Sequence, residues 1–133
     1  MATPRVAVMS VHTSPMDQPG SGDSGGMNVY IRAVTERLAR RGVAVDLFTR
    51  CRGGDTHDVR EIAPGIRVVS VKAGPCMPVP KEVLPRFLPE FLGGVLRIAR
   101  EDGGGYDIVH SHYWLSGWVG RAAGATPRFR PAR

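Results

Sequence analysis

Val6 to Met9 form an apolar run without polar interruption, the pattern of a strand covered on both faces of a parallel sheet, so a first strand is predicted over Arg5–Ser10. From Met27 the spacing turns helical: Met27, Ile31, Val34 and Leu38 make one apolar stripe. Glu36 and Arg40 offer a supporting i,i+4 pair, Arg40 and Arg41 suit the negative end of the helix dipole, and Gly42 is the expected stop. Val43–Thr49 reads as a second strand, which completes a βαβ unit with a right-handed crossover. Arg50–Pro64 is polar, contains Gly53-Gly54-Asp55 and is predicted as a loop, followed by a third strand at Ile66–Val71. The prolines of Ala73–Pro80 exclude regular structure there. A helical pattern then opens at Lys81-Glu82 and carries Leu84, Leu88, Phe91, Val95 and Ile98. Pro85 fits a first turn, whereas Pro89 predicts a kink or break before Phe91. Gly103–Gly105 end that helix, Asp107–Ser111 is a fourth strand, and Leu115–Ala123 begins another helix.

Strands alternating with helices predict an α/β fold, a Rossmann-like doubly wound parallel sheet, in which ligands bind beyond the carboxyl ends of the strands. Two segments fall at that edge: the long loop after the first strand and His110–Trp114 after the fourth. The loop within Ser10–Tyr30 is dense in Gly, Ser, Pro and Asp, and is far longer than a strand-to-helix turn requires. Its Gly25-Gly26 entry into the helix leaves backbone N–H donors at the positive end, an arrangement suited to an anion or a sugar. Gly20–Gly25 is also a literal G-x-G-x-x-G. The dinucleotide reading is disfavoured, because that motif belongs directly after the strand and Asp46 lies inside the second strand, not at its end.

Composition changes this picture little. A chain of 133 residues with 42% hydrophobic and 23% charged residues suits one globular domain. No apolar run reaches the roughly 18 residues of a membrane span, and no signal-peptide pattern opens the chain, so a cytoplasmic protein without membrane association is expected. The net charge of +6 is concentrated at the end: subtracting Arg121, Arg128, Arg130 and Arg133 leaves +2. With no interleaving of basic and aromatic residues in the body of the chain, no nucleic-acid partner is expected. Cys51 and Cys76 lack metal-site spacing and read as unrelated reduced thiols, with a disulfide as the alternative. His110 and His112 are expected on opposite faces of their strand, which speaks against a shared metal; no metal site is assigned. The segment from Arg121 onward has no period and reads as a divergent basic tail, either a frayed terminus or translation out of frame, without a packing role.

Several residues carry two readings. His12 is a ligand contact or a structural histidine; Asn28, in the first helical turn, faces a ligand or solvent. Lys81 is a point charge for a phosphate or simply exposed. Tyr113 and Trp114 pack in the core or offer a phenol and a stacking surface to a sugar.

The stretches HTSPMDQPGSGDSGGMNVYI, KEVLP and DIVHSHYWLSG together resemble the D-inositol-3-phosphate glycosyltransferases of mycothiol biosynthesis, which are retaining GT-B enzymes. The likeness runs from Arg5 to about Gly120 and implies the N-terminal, acceptor-side half of a GT-B fold, incomplete, with residues 1–120 as domain and 121–133 as tail. It implies transfer of N-acetylglucosamine from UDP-N-acetylglucosamine to 1D-myo-inositol 3-phosphate with retention. By motif, His12, Asp23, Ser24, Gly25, Gly26, Met27, Asn28, Lys81 and Tyr113 would contact the acceptor, with Lys81 and Tyr113 on its phosphate. Gln18, Pro19 and Gly26 would touch the donor. No catalytic residue is assigned and no cofactor is expected in this chain; Mg²⁺ and a homodimer are options of full-length relatives. Trp118 departs from the family, which usually has a polar residue there. The family continues past this point into the diphosphate-binding domain, so the chain alone is expected to be an inactive fragment, the alternative being a non-catalytic phosphorylated-polyol-binding module or a non-functional remnant.

Overall fold

The computed structural model describes residues 3–12, 26–53, 58–102 and 105–125. Strand β1 is Arg5–Met9, helix α1 Gly26–Arg40, β2 Ala44–Arg50, β3 Asp58–Ala63, β4 Ile66–Val71, α2 Leu88–Asp102, β5 Ile108–Ser111 and α3 Tyr113–Gly124. The five strands lie in the order β3-β4-β2-β1-β5, and all pairings are parallel except that of β3 with β4. Alternation along the strands divides the core into two layers. Val6, Val8, Val45, Leu47, Ile66 and Val68 pack with Ile31 of α1. On the other face Ala7, Met9, Phe48, Val69 and Val71 pack with Phe91 and Val95 of α2 and Leu115 and Val119 of α3. The doubly wound sheet expected from the alternating elements is therefore present.

Helix α1 ends as its sequence directs. Gly42 takes φ 85°, its N–H donates to Ala39 O at 3.0 Å, and the Val43 N–H reaches Leu38 O at 3.0 Å, a Schellman closure. Glu36 forms an i,i+4 ion pair with Arg32, at 4.0 Å. Ahead of α2, a 3₁₀ turn at Leu84–Phe87 carries Pro85 at its start. The break expected before Phe91 falls at the Phe87–Leu88 junction, which leaves Pro89 in the first turn of α2, where no N–H is required.

Four expectations are corrected. The segment read as a loop to Pro64 contains β3, an antiparallel edge strand whose polar solvent face hides the alternation. Cys51 and Cys76 are joined as a disulfide with Cα atoms 5.0 Å apart. Adjacent parallel strands put the ends of β2 and β4 side by side, with the Cys51 N–H on Val71 O at 2.8 Å, and the chain turns back at Gly74. The rings of His110 and His112 lie together, centroids 4.3 Å apart, because residues two apart on an extended backbone share a face. Finally, α3 runs past residue 120 to Gly124, and Ala123 is fully buried, so the first residues assigned to the tail pack in the core. Residues 126–133 lie outside the described residues.

Candidate functional site

The chain steps outward from β1 to β2 and β4, then α2 carries it back to place β5 on the other side of β1. The order reverses there, and the crevice between the carboxyl ends of β1 and β5 is the place where such sheets bind ligands. Three backbone and side-chain bonds fix this edge. Ser10 N–H donates to Phe48 O at 2.9 Å, His112 N–H to Met9 O at 3.1 Å, and the buried Val11 N–H to Oγ of Ser116 at 2.9 Å. Ser116 thus ties α3 to the exit of β1. The sequence carried no sign of this role, because it depends on residues more than one hundred positions apart coming together.

His12, His112 and Asn28 are buried at this edge. Burial of Asn28 in the first turn of α1 removes its solvent-facing reading. Tyr30, further along the same helix, meets the His112 ring edge-on with centroids 6.0 Å apart, so the starts of α1 and α3 are neighbours. Neither helix has an acidic residue in its first turn, so within those turns no carboxylate competes for the positive ends. A Cβ on Gly26 would meet nothing within 4 Å among the described residues, so the helix entry is not crowded by them.

Lys81 follows β4 at the same edge of the sheet, half-buried, in the turn that leads into the 3₁₀ segment, where its carbonyl accepts the Leu84 N–H at 3.2 Å. The rims of β1, β2, β4 and β5 therefore bring His12, Asn28, Lys81 and the start of α3 to one side of the sheet. Met27 and Tyr113 are placed there by the first turns of α1 and α3. Gln18, Pro19, Asp23, Ser24 and Gly25 lie outside the described residues. Trp118 sits on α3 with about half its surface exposed (46%). Among the described residues no group of His, Cys, Asp or Glu is arranged to hold a metal.

Burial, and then the charges of His110 and His12, push the His112 imidazole down from 6.5 to about 4. It is therefore neutral near pH 7, with one ring nitrogen a donor and the other an acceptor. The folded state binds its proton less readily than the unfolded chain, so this contribution to stability is present above about 6.5 and lost as the pH falls towards about 4. After allowance for solvent screening the loss is about 1–2 kcal/mol. In thermal melts between pH 7 and pH 4.5, wild type is expected to lose more stability than His112→Asn; parallel losses would refute the assignment.

Comparison with known proteins decides the relationship. The glycosyl transferase 4-like domain matches residues 25–131. The chain belongs to the glycosyl transferase 4-like family. It is 53% identical over 116 residues to a D-inositol 3-phosphate glycosyltransferase of Corynebacterium jeikeium, covering 87% of this chain and 28% of that protein. With the protein of the same description from Geodermatophilus obscurus it shares 57% identity over 117 residues, 87% of this chain and 26% of the relative. The chain thus spans little more than a quarter of the length of these relatives. Sucrose-phosphate synthase from Thermosynechococcus elongatus superposes with a TM-score of 0.84 at 37% identity, over 95% of this chain and 31% of that one. The sheet described above is accordingly the Rossmann-like unit of a GT-B fold, incomplete in this chain. No helix among the described residues is long and apolar enough to cross a membrane.

Proposed function

We propose that this chain is the acceptor-binding unit of a retaining hexosyltransferase that moves N-acetylglucosamine from UDP-N-acetylglucosamine to 1D-myo-inositol 3-phosphate, the step that opens mycothiol biosynthesis. The observation that carries the reading is the placement of His12, Asn28, Lys81 and the start of α3 at one sheet edge, in a chain 53% identical to a D-inositol 3-phosphate glycosyltransferase. In this reading Lys81 pairs with the acceptor's phosphate, the phenol of Tyr113 donates to the same group, and the positive ends of α1 and α3 add to the attraction. His12, Asn28 and the 23–27 stretch hold the inositol hydroxyls, and Gln18, Pro19 and Gly26 touch the donor. As the anomeric C–O bond of the donor breaks and the acceptor hydroxyl bonds to that carbon, the electron pair of the broken bond leaves with the diphosphate, where negative charge develops. The groups that stabilise it belong to the diphosphate-binding side of the GT-B cleft, outside these 133 residues.

Calorimetry with 1D-myo-inositol 3-phosphate tests the acceptor site. Lys81→Ala is expected to weaken binding about tenfold or more, the loss of one charge-assisted contact. Equal affinity of wild type and variant would remove Lys81 from the site, and absence of binding by both would sink the reading. Supplied with both substrates, the 133-residue chain by itself is expected to give no product at an enzymatic rate.

A further inference from the structure

The 73–80 segment that delivers Lys81 has an unusual problem of attachment. Pro75, Pro78 and Pro80 have no N–H, so this stretch cannot join a strand ladder through a continuous row of donors, and its carbonyl oxygens gain weight as points of attachment. Arg50, the last residue of β2 and almost wholly buried, takes up three of them. Its Nη1 donates to Ala73 O at 3.1 Å and to Pro75 O at 2.8 Å, and its Nη2 to Met77 O at 2.6 Å. Carbonyls of three alternate residues thus converge on one guanidinium. Burying that cation is costly unless such bonds are made, and the planar fork can reach several acceptors at once where an ammonium would be a single point. The neighbouring Cys51 binds the same segment through Cys76, and Glu90 of α2 accepts the Gly74 N–H at 2.8 Å.

We propose that Arg50 is the positioning residue for Lys81: by gathering the carbonyls of Ala73, Pro75 and Met77 it sets where the lysine meets the acceptor's phosphate. The inference rests on the reading of Lys81 as the phosphate ligand. Arg50 itself touches no substrate; it acts through the segment it holds.

A double-mutant cycle read by calorimetry with 1D-myo-inositol 3-phosphate tests this. Arg50→Met is expected to weaken binding about tenfold in the wild-type background and less than twofold on top of Lys81→Ala, the non-additivity of residues that act as a unit. Arg50→Lys keeps the charge without the fork and is expected to fall between; it also carries the test if Arg50→Met does not fold by circular dichroism. Hydrogen exchange supplies an independent readout. In either Arg50 variant the amides of Cys76, Met77, Val79 and Lys81 are expected to exchange faster, while those of Val6–Met9 do not change. Additive losses in the cycle, or wild-type affinity in Arg50→Met while Lys81→Ala has lost it, would overturn the inference and leave the Lys81 reading standing. Failure of the wild-type chain to bind the acceptor would remove both.

Discussion

Replacing Asp46 with alanine is expected to lower the unfolding free energy by about 3–5 kcal/mol, the cost of removing one partner from a buried ionic network. Asp46 sits on β2, facing the α2 layer, and its side chain is nearly enclosed. Arg67 of β4 grips it with one edge of the guanidinium, Nε to Oδ1 at 2.8 Å and Nη2 to Oδ2 at 2.7 Å. Arg5 of β1 reaches Oδ2 at 3.3 Å, and the buried Tyr106 hydroxyl donates to the same oxygen at 2.5 Å. Asp102, at the end of α2, accepts from Arg5 at 2.7 Å and from Arg67 at 3.1 Å, and Arg5 lies over the Tyr106 ring at 4.6 Å. Three strands, one helix and the entry to β5 are thereby joined around a single carboxylate. The hydrogen bonds that Arg67 donates to Asp46 hold the guanidinium firmly in its charged form against the opposing effect of burial, and burial, followed by the Asp46 charge, keeps Tyr106 protonated.

Alanine at position 46 would leave two guanidinium groups short of a counter-charge and a buried phenol without its acceptor. Asp46→Asn keeps the shape and an acceptor, so its loss is expected to be smaller, about 2 kcal/mol. Thermal melts should show a drop of roughly 10–20 °C for Asp46→Ala, taking a domain of this size at about 4 °C per kcal/mol. A change of less than about 2 °C, under one kcal/mol on that scale, would contradict the network's role. Acid weakens the same cluster: burial raises the Asp102 carboxyl, but hydrogen bonds and charge from Arg67 and Arg5 outweigh it and hold it below the usual range. Its contribution is present above its ordinary pKa and is lost as the pH falls through the depressed value.

Asp46 also shows where a sequence stops informing. As one acid inside an apolar run it was interpretable only as a poor ribose ligand, since its partners at positions 5, 67 and 106 become neighbours through strand order alone. The parallel strands were legible because residues such as Val6–Met9, Ile66, Val68, Val69 and Val71 must be apolar to be covered on both faces. Strand β3 was not, because an edge strand keeps a polar face and DVREIA reads like a loop. Arg50 was hidden for the reason that hid Asp46, and Cys51 showed its disulfide only as the second of two readings. They act across the β2–β4 pairing on a proline-rich segment that has no periodicity to read. His12, Asn28 and Lys81 were singled out from glycine density, helix entry and the rarity of lysine, signals that mark the carboxyl edge of the sheet without any knowledge of strand order.

Gly120→Ala is expected to destabilise the protein by about 1–3 kcal/mol although alanine is the better helix former. Helix α3 lies so close to β5 at this point that a Cβ on Gly120 would collide with Oγ of Ser111 and come within 3.3 Å of Cγ1 of Val109. The Ser111 hydroxyl can rotate, but Cβ of Ser111 and Cγ1 of Val109, both at 3.3 Å, belong to a strand locked in register to β1, Ala7 with Val109 and Met9 with Ser111, so the remaining strain falls on the helix and not the sheet. Movement of α3 would draw Ser116 away from the Val11 N–H and shift the start of the helix, where His112 stands as N-cap. One turn earlier, a methyl group on Gly117 would meet nothing within 4 Å among the described residues, so Gly117→Ala should stabilise by up to about 1 kcal/mol through backbone propensity alone. Two glycine-to-alanine changes on one helix, one turn apart, are thus expected to act with opposite signs in urea unfolding. Equal effects of the two would show that α3 does not rest on β5 through Gly120, and with that the support of the crevice between β1 and β5 would need another source.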